Sequence, residues 1–188
     1  RKSYDKNPNY KFIKGDVKNV DLLNDLVKDC DQIVAIAAKI GGISYFHEYS
    51  YDLLSENEKI ISSTFDAAIN AFKNYKLKKI NVISSSMVFE NTTTFPTSEG
   101  EQLICAPPSS TYGFQKLSTE YFAKGALEQY GLPYTIIRPF NCIGIGEKKA
   151  LSDKEIRSGN IKLAMSHVIP DLIQKILKNQ YPLRILGD

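Results

Sequence analysis

Tyr112 and Lys116 are the two residues whose types and spacing are best suited to chemistry. Side chains four positions apart lie on one face of a helix, so this pair can meet. A phenol has an ordinary pKa of about 10, too high for a base at neutral pH, and a nearby ammonium lowers that pKa because it favours the phenolate. The pair can therefore exchange a proton with a substrate hydroxyl. Pairing on a helix surface without any chemistry is the alternative.

Three consecutive serines, Ser84, Ser85 and Ser86, follow the apolar stretch that begins at Ile80. In a parallel sheet, residues at the carboxyl ends of the strands face the ligand crevice. A serine at that place can donate a hydrogen bond to a substrate oxygen while Tyr112 exchanges the proton. The alternative is a serine cluster that only satisfies loop amides.

The elements that would position these residues alternate between strand and helix. Apolar runs predict strands at residues 11–13, 32–38, 79–84 and 134–138. Apolar spacings of three and four predict helices at 20–29, 52–75, 112–130 and 166–179. Asn19 is a candidate N-cap for the first helix, and Gly131 ends the third. The continuous apolar run at 32–38 suits a strand buried on both faces, so the pattern predicts a parallel α/β sheet with helices on both faces.

Composition narrows the class of protein. The 188-residue chain is 43% hydrophobic and 24% charged, which predicts a soluble globular protein of one domain, or of one domain and part of a second. A net charge of +3, with basic residues scattered among acidic ones, favours no nucleic-acid partner. No apolar run approaches the roughly 20 residues that cross a bilayer, so no membrane segment is expected. Three widely spaced cysteines predict neither a disulfide framework nor a metal site and favour a reducing, cytoplasmic location.

Three short motifs, in their order along the chain, carry a family resemblance. They are Ser-Ser-Ser-Met-Val-Phe at 84–89, Tyr-Gly-Phe-Gln-Lys at 112–116 and Arg-Pro-Phe-Asn at 138–141. This order resembles the extended short-chain dehydrogenases/reductases, and more narrowly the NAD-dependent nucleotide-sugar epimerases and dehydratases. Gly-Asp at 15–16, Ala-Ala at 37–38 and His-Val-Ile-Pro at 167–170 extend the likeness over nearly the whole chain. Residues 37–43 are also similar to the GDP-fucose synthase branch.

The resemblance implies a Rossmann-like doubly wound parallel sheet, here truncated, with the beginning of a small substrate domain. Residues 1–146 would form a partial dinucleotide-binding domain, and 147–188 the start of a substrate-binding region. The implied activity is NAD-dependent epimerisation or dehydration of a nucleotide-diphosphate sugar by hydride transfer. A homodimer would form through the helices at 52–75 and 112–130. The alternatives are an NADP-dependent sugar or carbonyl reductase, a non-catalytic dinucleotide-binding scaffold and an inactive fragment of an enzyme.

The same resemblance assigns roles to single residues. Tyr112 would be the acid/base, Lys116 would lower its pKa and bind the cofactor ribose, and Ser85 would be the catalytic hydroxyl. Ser86 is the alternative for that hydroxyl and a candidate substrate contact. The other contacts would be Asp16, Val17, Ala37, Ala38, Lys39 and Pro139 for the cofactor, and Asn141 for the diphosphate of the sugar nucleotide. A helix-capping acid at Asp16, packing at Ala37 and Ala38 and a turn at Asn141 stay open as alternatives.

Some features depart from the family's pattern. The strand, Gly-rich turn and helix N-terminus that hold the pyrophosphate in this family have no counterpart in the sequence. The chain is therefore expected to be a middle segment of a longer protein, with poor cofactor affinity of its own. The strand at 11–13 would lack its neighbour, and the strand at 32–38 would have an open edge. Glu90 stands where the family often has glycine. Asn57, by contrast, fits the family's helix, and a solvated helix face is its alternative.

Overall fold

The computed structural model describes residues 7–40, 48–142, 156–158, 161–163, 168–179 and 181–183. The strands are β1 (Gln32–Ala35), β2 (Lys79–Ile83), β3 (Tyr134–Ile137), β4 (Ile156–Ser158) and β5 (Ile161–Leu163). The α-helices are α1 (Val20–Val27), α2 (Ser50–Asn74), α3 (Thr111–Tyr130) and α4 (Val168–Leu177), and short 3-10 helices lie at Ser86–Phe89 and Glu101–Leu103. The predicted domain boundary at 146/147, residues 41–43 of the 37–43 motif and His167 lie outside the described residues.

The first three strands form a parallel sheet in the order β1-β2-β3, and β4 pairs with β5 as a separate antiparallel hairpin. In the register of the parallel sheet, Ala35 lies opposite Val82, which lies opposite Ile136. The carboxyl ends of the three strands therefore lie side by side, and the loops that follow them are neighbours. We call this side of the sheet its carboxyl edge. This confirms the predicted Rossmann-like α/β class.

The core lies between the sheet and the helices α2 and α3. Ile80 and Val82 of β2 are fully buried, and they share one apolar cluster with Phe65 of α2 and Ala123 of α3. The rings of Phe65 and Phe122 stack with their centroids 6.0 Å apart. Val27 of α1 packs against the same cluster. The three helices thus cover one face of the sheet, and helices on the opposite face, which the sequence also predicts, are not found among the described residues. This packing places the end of β2, with its serines, beside the start of α3.

Three of the strand predictions are wrong, one of them wholly and two in part. Residues 11–13 form no strand, and Phe12 and Ile13 are 51% and 40% exposed. A strand needs a hydrogen-bonded neighbour, and the described sheet ends at β1. The strand predicted at 32–38 stops at Ala35 and is an edge strand of the described sheet. Only one of its faces is packed, because Ile33 and Ala35 contact the core whereas Val34 is 54% exposed. The apolar run at 134–138 also predicts a buried strand, but β3 lies at the other edge of the described sheet and its Ile137 is 44% exposed.

The helix predictions agree with the structure to within a few residues at each end. Asn19 caps α1, because its side chain accepts a hydrogen bond from the Leu22 amide at 3.1 Å. Gly131 ends α3 in the left-handed conformation, with φ of 74°. Ser63 of α2 donates to the Val17 carbonyl at 2.7 Å, which fixes the loop before α1 on α2. None of the described helices is long and apolar enough to cross a membrane.

Candidate active site

Ser85 and Ser86 lie where the ends of β2 and β3 are joined. The Ser84 amide donates to the Ile137 carbonyl at 2.8 Å, and the Ser86 amide donates to the Pro139 carbonyl at 3.1 Å. Ser85 is buried and caps the following 3-10 helix, since its Oγ accepts from the Met87 amide at 3.2 Å. The Ser85 hydroxyl therefore satisfies a loop amide, and a serine hydroxyl that accepts a hydrogen bond still has its own hydrogen to donate.

Tyr112 and Lys116 lie in the first two turns of α3, beside those serines. Lys116 Nζ is 5.9 Å from the centroid of the Tyr112 ring. The Lys116 side chain is buried and donates to the Ile83 carbonyl, the last of β2, at 3.2 Å. Burial lowers the pKa of Lys116, because water no longer stabilises the ammonium. A cation is thus held next to the phenol in a place with little water.

Glu90 fixes the start of α3 against the serine loop. Its Oε2 accepts from the amide of Ser110 at 3.0 Å and from the Ser110 hydroxyl at 2.8 Å. Ser110 in turn caps α3 by accepting from the Gly113 amide at 3.0 Å. A Cβ on Gly113 would lie 2.9 Å from the Met87 carbonyl oxygen, so only glycine fits there without a shift. Glu90, which replaces the family's usual glycine, therefore forms contacts that help to position Tyr112.

The loop after β1 is held from α2. The Lys39 amide donates to Asn57 Oδ1 at 2.7 Å, and Asn57 Nδ2 donates to the Lys39 carbonyl at 3.0 Å. Asn57 is 5% exposed, so it does not belong to a solvated helix face. Ala38 and Lys116 share a cavity of about 20 Å³ with Asn57 and Ile83. The loop predicted to line the cofactor thus adjoins the lysine.

The candidate contacts Asp16 and Asn141 lie in loops outside the cluster around Tyr112 and Lys116. Asp16 is exposed and caps a turn before α1, its Oδ1 accepting from the Lys18 amide at 2.9 Å. Val17 is fixed to α2 through its carbonyl. Asn141 is exposed in a bend after β3. The structure therefore brings together Ser85, Ser86, Pro139, Tyr112, Lys116 and the alanine loop. Among the described residues, Asp16 and Asn141 form no side-chain hydrogen bond or ion pair with that group.

A buried ionic contact supports the site and was missed in the sequence. The Glu120 carboxylate accepts two hydrogen bonds from Arg138, one from Nε and one from Nη2, and each is 2.8 Å long. The Ser84 hydroxyl donates to the same carboxylate at 2.6 Å. The available signal is that Glu120 follows Lys116 by four positions, which places both side chains on one face of the predicted helix.

Comparison with known proteins gives one family and several relatives. A family model described as the NAD dependent epimerase/dehydratase family matches residues 1–188. The chain is 26% identical to a GDP-L-fucose synthase of Dictyostelium discoideum over 82% of this chain and 45% of that relative. It thus spans less than half the length of the curated relatives it matches.

Two solved structures share the fold. One is a UDP-N-acetylglucosamine 4-epimerase from Methanobrevibacter ruminantium in complex with UDP-N-acetylmuramic acid, 29% identical, with a TM-score of 0.72 over 97% of this chain and 53% of that chain. The other is a UDP-glucuronic acid 4-epimerase from Bacillus cereus in complex with UDP-glucuronic acid and NAD, 25% identical, with a TM-score of 0.73 over 100% of this chain and 51% of that chain.

Proposed function

The chain belongs to the NAD-dependent epimerase/dehydratase family, and on that premise we propose that the whole protein modifies a nucleotide-diphosphate sugar by hydride transfer, with Tyr112 as the acid/base. One observation carries the proposal. A buried lysine lies beside the tyrosine ring at the carboxyl edge of a parallel sheet, where three loops meet. This is the edge at which such sheets bind ligands.

The residues at this edge fit an NAD molecule. Ala37 and Ala38 have small side chains, and Asn57 holds the following backbone in one position, so a flat ligand can approach closely. Lys116 supplies an ammonium for ribose hydroxyls. Asp16, Val17, Lys39 and Pro139 are the further cofactor contacts in this proposal. NAD, when bound, supplies the acceptor for a hydride.

The protein's own residues would handle the proton. Tyr112 removes the proton of a sugar hydroxyl as the hydrogen on the same carbon departs as hydride, which leaves a ketone. Lys116 favours the phenolate form of Tyr112 by its charge. Ser85 donates its hydroxyl hydrogen to the substrate oxygen and stabilises the negative charge that develops there. Ser86 and Asn141 contact the substrate, and the fate of the ketone decides between epimerisation and dehydration.

The substrate and partner also belong to the proposal. The similar solved structures carry UDP-sugars, and the curated relative is a GDP-L-fucose synthase, which supports a nucleotide-diphosphate sugar as substrate. We place the dinucleotide-binding part at 1–146 and the start of the substrate-binding region at 147–188. A homodimer through the helices predicted at 52–75 and 112–130, which are α2 and α3 in the structure, is supported by exposed apolar groups on them, among them Tyr51, Phe114 and Leu127.

The test compares Tyr112→Phe with Tyr121→Phe in the whole protein. Tyr121 lies on the same helix, and its ring centroid is also 5.9 Å from a lysine ammonium, Lys124, but this pair is exposed. Hydride transfer from UDP- and GDP-sugars is followed in a single turnover by the transient absorbance of the reduced nicotinamide, with NAD and with NADP. We expect Tyr112→Phe to slow the transfer by about 10²- to 10⁴-fold and Tyr121→Phe to leave it unchanged. Equal rates for Tyr112→Phe and the unmodified protein would overturn the assigned acid/base.

A further inference from the structure

Gln115 carries a buried polar atom that has no partner among the described residues. Its side chain is 4% exposed, and its Oε1 makes no hydrogen bond there. Its Nε2 donates to Thr119 Oγ1 at 2.9 Å, and the Thr119 hydroxyl uses its hydrogen on the Gln115 carbonyl at 3.0 Å. Thr119 therefore has no hydrogen left for Oε1. A buried carbonyl oxygen without a donor is costly, and water commonly supplies the donor.

The cavity next to Gln115 can hold such a water. Its volume is about 20 Å³, and its lining includes Gln115, Thr119, Lys116 and Asn57. A single water needs about 10–15 Å³ of such space and two or more polar partners. Lys116 is the natural second partner, because an ammonium has three hydrogens and the Ile83 carbonyl takes one of them.

We propose that this cavity binds one ordered water, which donates a hydrogen bond to Gln115 Oε1 and accepts one from Lys116 Nζ. Gln115 then acts as a positioning residue: it holds the water that, with the Ile83 carbonyl, fixes the direction of the Lys116 ammonium. Gln115, the residue directly before Lys116 in the motif, thereby gains a role through its side chain.

The first test is a crystal structure of the whole protein at a resolution that shows ordered water. We expect density within hydrogen-bond distance of both Gln115 Oε1 and Lys116 Nζ. An empty cavity would overturn the water site, and density that contacts Thr119 without Lys116 would overturn the positioning role. This test needs neither NAD nor a substrate, so its result stands apart from the proposed function.

The second test rests on the proposed function and uses Gln115→Met and Gln115→Glu. Methionine has a similar volume but no acceptor oxygen, whereas glutamate keeps one. We expect Gln115→Met to lower NAD affinity and turnover by roughly three- to tenfold, the loss of about one hydrogen bond, and Gln115→Glu to lower them less. If Gln115 only fills space, the order reverses, because glutamate buries a charge. Failure of the unmodified protein to bind NAD would count against the proposed function alone.

Discussion

Glu120 and Arg138 form a two-point ion pair between the middle of α3 and the residue after β3, with both N–O distances at 2.8 Å. The carboxylate raises the pKa of the Arg138 guanidinium, which keeps its charge in a half-buried place. The Ser84 hydroxyl donates to the same carboxylate. One acidic side chain therefore connects the three segments that carry Lys116, Ser85 and Pro139.

We expect Glu120→Ala to be strongly destabilising. Arg138 would keep its charge without its partner, and loss of one member of a buried pair costs about 3–5 kcal/mol. Urea unfolding measures the free energy of unfolding. The control is Glu128→Ala on the same helix, whose exposed contact with Lys124 spans 3.8 Å and whose removal should cost less than about 1 kcal/mol. Equal losses in the two variants would mean that the Glu120 pair contributes no more than a surface contact.

Asn57→Ala should loosen the loop after β1. The change removes both hydrogen bonds to the Lys39 backbone and leaves a half-buried amide and carbonyl without these partners, which costs about 1–3 kcal/mol. We expect a lower melting temperature and weaker NAD binding, measured by thermal unfolding and calorimetry. Asn74→Ala is the matched control, because Asn74 lies on the same helix and bonds only its neighbour Asn70 at an exposed position. NAD affinity unchanged in Asn57→Ala would argue that this loop does not contact the cofactor.

The elements of the fold were predictable because their signals are local. The alternation of apolar runs and helical spacings gave three parallel strands and the helices around them. Burial was predicted less well, because an apolar run such as 32–38 can form either a central strand or an edge strand of a sheet. Val34 is exposed because it lies on the opposite face of β1 from Ile33 and Ala35, and no described helix covers that face.

The contacts around the site were harder to predict because they join residues far apart in sequence. Asn57 meets Lys39, and Glu120 meets Arg138, only once the order of the strands is known. The spacing of a tyrosine and a lysine is also a weak signal by itself. Tyr121 and Lys124 reach the same 5.9 Å separation on the surface as Tyr112 and Lys116 do in the site. Burial of Lys116, which no spacing shows, distinguishes the two pairs.

Gly113→Ala and Gly125→Ala should change stability in opposite directions, although both glycines lie in α3. A Cβ at Gly113 would meet the Met87 carbonyl oxygen at 2.9 Å and Pro108 Cβ at 2.7 Å, whereas a Cβ at Gly125 meets nothing within 4 Å. Gly125→Ala should gain up to about 1 kcal/mol from helix propensity, and Gly113→Ala should lose about 1–3 kcal/mol from overpacking. Denaturant unfolding gives both values. A gain in Gly113→Ala would show that the start of α3 can move away from the serine loop at little cost.

Lys116→Met should make the protein more stable and less active. Burial lowers the pKa of Lys116, so the native state binds its proton less tightly than the unfolded state does. At neutral pH the charge therefore costs stability, and its removal also takes away the donor to the Ile83 carbonyl. We expect a net gain of up to about 1 kcal/mol, or about 2–4 °C in melting temperature. As the pH rises from the lowered pKa towards the ordinary lysine value of about 10.4, the native state loses its proton first and the unfolded state holds more protons. The free energy of unfolding of the unmodified protein then rises, and its difference from Lys116→Met should shrink.

Urea midpoints from about pH 7 to about pH 10 measure this difference, with the exposed Lys124→Met as the control. A difference that stays constant over that range would assign the gain to packing of the methionine and not to the buried charge.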